Sequence, residues 1–548
     1  MQGLKRRMRS VRAVLTVAVL LVGEASAWIG GVNRQKLIAH GRDLRIATPE
    51  EILDNADVFD KTGVDGATVC LFGKTATGRS YSFETIAIDE PWVFSDLKPR
   101  LAALKGFAAH VGLKESLLAF QLLPQKRLAW DDDAAWGRFV GNLHVLARIG
   151  RVSGLKGYFV DFGDRSRVRQ FFSTGGRNGA DFDVASAFAR KRGRELLSGL
   201  FAEHPDAVLF SPWFFTLNER DAGLRDPLAR VRGEGDLWPA FLNGILDAIP
   251  PQAKFVDGNE WSFRDGDAED HGFHAKAFHA WHYALGLVEP ENRDRYKSQL
   301  SVGFGFCLDM FKGDESLVAR FERNLEQAAF VSTEYVWLHG ESCCWVPWKR
   351  TVSSQLWKDE TFAKVLSGQN GPRTWEDALP GLRDILDAVR DPDAFRTRKL
   401  SELRRTGLRE LISSKDRVPV DLVVWQNPEK HQGRFGKDSD SVRACGVGSG
   451  CASVHLPVMP GALYAVSVKV HGRVSANVHW KVGGREEWKL GVSRLVAQGE
   501  ADADGWRMLA ATVRPPADAD GMVLSAWVSQ RSEAEKARFR DFSAVKLR

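Results

Sequence analysis

KFVDGNEWSF, residues Lys254 to Phe263, reads as a short buried strand that runs directly into Asp257, Glu260 and Trp261 and then into the acidic turn RDGD. An apolar strand ending in carboxylates and a tryptophan has the form of a barrel strand at its working face, where catalytic groups gather at the C-terminal strand ends. Six more runs share that form: GATVCLFG, SLLAFQLL, GYFVDFGD, AVLFSPWFF, LSVGFGFCLD and EYVWLHGESCCW. Polar or aromatic loops and helix-length segments alternate with them. One such helix, TPEEILDNADVFDKTG, takes Thr48 as its expected N-cap. This alternation predicts an α/β fold, a (β/α)8-type (TIM) barrel. Seven strands are legible, with the eighth expected near Ser80 to Ile88, after Lys349, or absent.

From Val418 onward the pattern changes to short alternating runs separated by Gly, Pro and Asp turns, among them LYAVSVKV, SANVHWKV and MVLSAWVS. Such spacing predicts an all-β antiparallel sandwich, a jelly roll. The division expected is therefore residues 1–27 as a signal peptide, 28–414 as the barrel and 415–548 as the sandwich.

The signal peptide is read from a basic start, the apolar run AVLTVAVLLVG and the small-residue site ending at Ala27. The Arg6-Arg7 pair lacks the surroundings of a twin-arginine signal, and an uncleaved anchor is the competing reading. No later run is long and apolar enough for a transmembrane helix, so the expected location is secreted or periplasmic. Among 548 residues, 76 basic and 70 acidic side chains are interspersed, a net charge of +6 with no basic stripe that would suggest nucleic acid. In an oxidising compartment Cys445 and Cys451 are expected to close a small disulfide loop, whereas the pairing of Cys70, Cys307, Cys343 and Cys344 stays open. The cysteines show no C-x-x-C pair, and the His271, His274, His279 and His282 group matches no metal-binding helix pattern, so no metal is expected in the barrel.

Brought together at one barrel face, the strand ends collect Asp161 and Asp164, Trp213, Asp257, Glu260 and Trp261, Asp309 and Glu341. Carboxylates crowded into one cleft repel one another, which costs free energy unless a task compensates it. Glycosidic cleavage needs that pairing, one carboxylic acid for the leaving oxygen and one carboxylate as nucleophile or base, with aromatic faces for sugar rings. Glu260 and Glu341 form the expected catalytic pair, with Asp161 as a third catalytic candidate. Asp257, Asp164, Trp213, Trp261, Trp345 and Trp348 are the expected substrate-binding residues. Against each stands a plainer reading: a salt bridge for Glu260 or Glu341, a loop cap for Asp161, core packing for the tryptophans, Trp337 above all. Glu334 opens its strand, at the end away from the chemistry, and reads as structural.

The series GLKGYFVDFGD, KFVDGNEWSF and TEYVWLHGESCCW resembles uncharacterised secreted bacterial glycoside-hydrolase-like TIM barrels, over roughly Asp54 to Trp348. By that resemblance Asp257 and Glu260 match the D-G-x-E signature, and Glu334, Trp337 and Glu341 match the E-Y-V-W segment. Gly163 stands where such barrels carry an acid after the GYFVD strand, which leaves Asp164 or Asp161 as the alternative second carboxylate. The Asn-Glu dipeptide of the large retaining barrel clan occurs twice, at Asn218-Glu219 and Asn259-Glu260. The C-terminal segments PGALYAVSVKV, GWRMLAATVRPP and FRDFSAVKL resemble carbohydrate-binding jelly rolls, which implies a possible structural calcium there and sugar contact by Trp480, Trp488 or Trp527. The reading is a secreted glycoside hydrolase acting on a polysaccharide or oligosaccharide. A noncatalytic glycan-binding barrel and a polysaccharide lyase are the rivals.

Overall fold

The structure, a computed structural model, describes residues 35–548 except 72, 75–76, 79, 82–89, 123, 125, 163–167, 174–178, 219–224, 265–271, 350–359, 370–372, 408–409, 413–416, 431, 439, 531 and 533. The chain divides between Arg390 and Asp391 into two compact units.

The first unit is a parallel barrel with flanking helices. Its strands are β1 (Lys36–Gly41), β2 (Gly66–Cys70), β3 (Leu117–Gln121), β4 (Gly157–Asp161), β5 (Val208–Ser211), β6 (Lys254–Asp257), β7 in two pieces (Leu300–Val302 and Phe304–Cys307) and β8 (Tyr335–Gly340). Each pairs in parallel with its neighbour from β1 through β6 to the first piece of β7, and the second piece pairs with β8, which pairs with β1. The barrel therefore closes through a strand interrupted at Gly303. The strand that the sequence left unplaced is β1, the KLIAHG run ahead of all seven legible ones. Its apolar centre is only Leu37–Ala39, too short to stand out, yet pairing on both edges buries it completely. KFVD is consequently the sixth strand of the barrel.

Near-continuous burial of the barrel strands follows from having side chains on one face and helices on the other. Ile38, Leu117, Phe159, Phe210, Val256 and Trp337 fill the interior. The helices begin and end as their local sequences dictate. Thr48 forms a full capping box with Glu51. The helix Asp133–Ser153 starts on the Asp132 carboxylate and stops at Gly154, whose φ of 77° is left-handed. At the N-terminal end of the barrel Glu334 accepts from Lys36 and Lys254, the structural position expected of it.

The second unit begins with the helix Pro392–Thr406, capped by Asp391, and continues as an antiparallel sandwich. One sheet has five strands and the other six, with alternate side chains such as Ala452, Val454, Val478, Trp480, Leu524 and Phe539 meeting in the core between them. All six cysteines are free. Cys445 lies on a strand of the six-stranded sheet and Cys451 on one of the five-stranded sheet. The expected small disulfide loop is thus replaced by a chain that crosses from one sheet to the other between them.

Candidate functional site

The C-terminal strand ends define a mouth, and one corner of it lies where β7, β8 and β1 adjoin. Glu341, just beyond β8, takes Arg45 Nη2 at 2.6 Å and His339 Nε2 at 2.8 Å on one carboxylate oxygen. Its backbone N–H donates to Asp309 Oδ2 at 2.8 Å, and Lys312 reaches Ser342 Oγ at 2.6 Å, the hydroxyl that also contacts Asp309. Burial pushes the Glu341 carboxyl upward, but His339, Arg45 and Arg42 together outweigh it and hold the group below the usual carboxylate range. Glu341 is therefore an ionised carboxylate at neutral pH.

Behind it His40 closes the floor. Its ring stacks on Phe159 at 4.4 Å, lies 5.3 Å from His339 and hydrogen-bonds Thr68 Oγ1 at 2.9 Å. Burial first, then His339 and Arg45, lower its pKa well below the ordinary imidazole value, so it is neutral.

Glu260 opens the short 3-10 turn Glu260–Arg264 after β6. Ser262 pins this turn to the second piece of β7, donating to Gly305 O at 2.7 Å and accepting from Gly305 N at 3.0 Å. Phe263 then stacks on His339, centroids 5.8 Å apart. The turn that Glu260 opens thus meets the strand end before Glu341 through Ser262 on β7 and Phe263 on His339. Immediately before Glu260 sits Asn259, fully buried, with a φ of 43° and neither side-chain polar atom hydrogen-bonded. A strained backbone and an orphaned amide at a strand end are features that stability alone does not favour.

The other expected site residues separate. Asp257 is fully buried and accepts from the backbone N–H and hydroxyl of Thr216. Burial raises its pKa to about 6 against those hydrogen bonds. It braces the strand end and has no surface to offer a substrate. Trp345 and Trp348, expected as sugar platforms, are core residues only 3% and 1% exposed, and their indole N–H groups donate to His40 O and Asp43 Oδ2. Trp213 and Trp261 do remain partly open and lie tilted together, 6.1 Å between centroids. Asp161 is half-buried at the end of β4, across the barrel from β8 in strand order. Asp164, Glu219 and His271 lie outside the described residues.

His40, Arg45 and His339 carried no motif. The local hint was histidine at two adjacent strand ends, LIAHG and WLHGE.

The expectation of a barrel without cofactors, with any metal a calcium in the C-terminal domain, needs correction. Asp57, Asp60 and His110, all in the barrel unit, bring one ligand atom each within 4.8 Å of one another. His110 Nε2 lies 3.3 Å from Asp57 and Nδ1 3.2 Å from Asp60. Asp57 and Asp60 precede β2, and His110 precedes β3, which puts the cluster at the end of the barrel opposite Glu341. A TIM-barrel-like fold with such acid and histidine groups is consistent with a hydrolase-like scaffold.

No family model and no curated protein matches this chain. Among solved structures, a bacteriophage CBA120 tailspike protein 4 domain is 10% identical over 24% of this chain, with a TM-score of 0.19, and this chain spans 20% of its length. A family 22 carbohydrate-binding module of Clostridium thermocellum Xyn10B is 15% identical over 26% of this chain and 95% of its own, TM-score 0.20. A CBM4 module is 14% identical over 23% and 86%, TM-score 0.18. Likenesses of that size leave the fold to rest on the strand order of this chain itself: a parallel, nearly closed barrel followed by an antiparallel sandwich. Among the described residues no helix is long and apolar enough to cross a membrane.

Proposed function

We propose that the protein is a glycoside hydrolase that works at the C-terminal mouth of the barrel on a polysaccharide or its fragments, exported by the segment ending at Ala27. The observation that carries this reading is Glu341, an ionised carboxylate clamped by Arg45 and His339 and linked through Phe263 to the turn that presents Glu260. Glycosidic cleavage divides its work between a carboxylate that stays charged and a carboxylic acid that gives up a proton. Glu341 takes the charged role, as nucleophile or as base for water. Glu260 takes the acid role, protonating the leaving oxygen. Trp213 and Trp261 offer ring faces beside Glu260, and Asp161 orients hydroxyls from the far side of the mouth.

The test is a broad glycan panel assayed for reducing ends with the wild type, Glu260→Gln and Glu341→Gln. Release by wild type, lost in both variants while their melting temperatures hold, supports the assignment. Release that survives both substitutions places the chemistry elsewhere. Binding without release on any glycan points to a noncatalytic barrel.

A further inference from the structure

The five-stranded sheet of the second unit turns one face into the sandwich core and leaves the other open. Register fixes which side chains share the open face, because residues directly opposite in an antiparallel pair point the same way. One cross-strand row runs Trp425, Cys451, Trp527 and Ser475. The next holds Ser525, Asn477 and Arg494. The intervening row, with Ala452, Ala526 and Ala476, is buried in the core. Trp425 is 47% exposed and tilts against Trp527, centroids 5.9 Å apart. Trp488, equally exposed, stacks on His479 at 3.9 Å, a residue two along the strand from Asn477 and on the same face.

Between Trp527 and Trp488 this face forms a groove of about 570 Å³ that also takes in Arg473, Asn477, Arg494 and the hydroxyl side chain of Ser475. Trp527 Nε1 donates to Asn477 Oδ1 at 3.2 Å, which fixes that amide with its NH2 as the remaining donor. Among the described residues neither Arg473 nor Arg494 pairs with a carboxylate, and none of the lining residues is acidic. Glu486, beside the groove but not among its lining residues, lies 3.0 Å from His479 Nε2 on the same face.

Indole faces spaced along a groove receive the apolar faces of sugar rings, and hydroxyl and amide groups receive their hydroxyls. Guanidinium groups left without counter-charge add a demand for anions. We propose that this groove binds an anionic sugar chain, one bearing carboxylates or sulfate esters, with rings on Trp527 and Trp488 and acid groups on Arg473 and Arg494. Single-stranded nucleic acid also joins stacking to negative charge. Two guanidiniums are few for a phosphate at every step, however, and the other polar groups here match hydroxyls.

The site is independent of the barrel chemistry. It is tested on the full chain carrying Glu341→Gln, so that binding is read whether or not the wild type cleaves anything. Calorimetric titrations compare an oligogalacturonate, a sulfated neutral oligosaccharide, an uncharged oligosaccharide of equal length and a single-stranded oligonucleotide. A charged oligosaccharide is expected to bind at least about tenfold tighter than the uncharged one, and more weakly as salt rises. Arg494→Gln should remove that preference, and Trp488→Ala should weaken both sugars about tenfold or more. Both side chains face solvent, and Arg494→Gln alone decides the matter if the tryptophan variant misfolds. The better of the two charged ligands assigns carboxylate or sulfate as the group recognised. Equal affinity for charged and uncharged sugars, no sugar binding at all, or preference for the oligonucleotide overturns the proposal.

Discussion

Phe263 stacks on His339 with ring planes 21° apart, and His339 Nε2 holds Glu341 at 2.8 Å. Through that contact the turn carrying Glu260 and the strand end carrying Glu341 position each other. Phe263→Ala should therefore lower kcat on any glycan the wild type cleaves by about tenfold or more, since small misplacements of reacting groups are costly. Phe263→Tyr should keep most of it. Equal rates for wild type and Phe263→Ala would sink the coupling.

Arg45, with His339, helps hold Glu341 ionised. The group's folded pKa is depressed, so its contribution to stability is present above the ordinary carboxylate pKa and lost as pH falls through the lowered value. Arg45→Met removes one of the two partners on the same oxygen. The acidic limb of the pH–rate profile should then move to higher pH, with partial return in Arg45→Lys. An acidic limb that stays in place argues that Glu341 is not the ionised catalytic group.

Asp257 gives the opposite pH signature. Its folded pKa is about 6 against an ordinary 3.8, because burial outweighs the Thr216 hydrogen bonds. Stability from the protonated form is fully present below the unfolded pKa and is lost as pH rises through the folded one. The change across that window is on the order of 3 kcal/mol. Asp257→Asn should flatten the stability curve from chemical denaturation between about pH 4 and 6. A curve unchanged by the substitution would show that Asp257 does not titrate there.

The tryptophans divide by role. Trp348→Ala empties a core site and leaves Asp43 short of a donor, so a loss of about 3–5 kcal/mol is expected in denaturant melts. Trp261→Ala should cost about 1 kcal/mol or less and raise KM instead. A reversed pattern, with Trp261 critical for folding and Trp348 for KM, would contradict the burial described.

Gly340 ends β8 with no room for a side chain. A Cβ there would lie 2.3 Å from the indole of Trp375, itself buried. Gly340→Ala should destabilise the barrel by about 1–3 kcal/mol. A melting temperature equal to that of the wild type would show that Trp375 moves aside freely.

Residues in one segment can report their own period, and that is why the sequence by itself determined the alternating barrel, the change to a sandwich beyond Val418, the Thr48 cap and the structural place of Glu334. What it could not report is which distant segment lies beside which. β1 became a strand only through pairing on both edges, and Trp345 and Trp348 lie in the core with their indole N–H groups satisfied by His40 O and Asp43 Oδ2, each 305 residues earlier in the chain. The two cysteines at 445 and 451, six apart in sequence, went to different sheets. The partners of Glu341 show the reason most directly: Arg45 is 296 residues away in the chain and 2.6 Å away in space. Strand ends carry their chemistry in company, and only closure of the barrel decides the company.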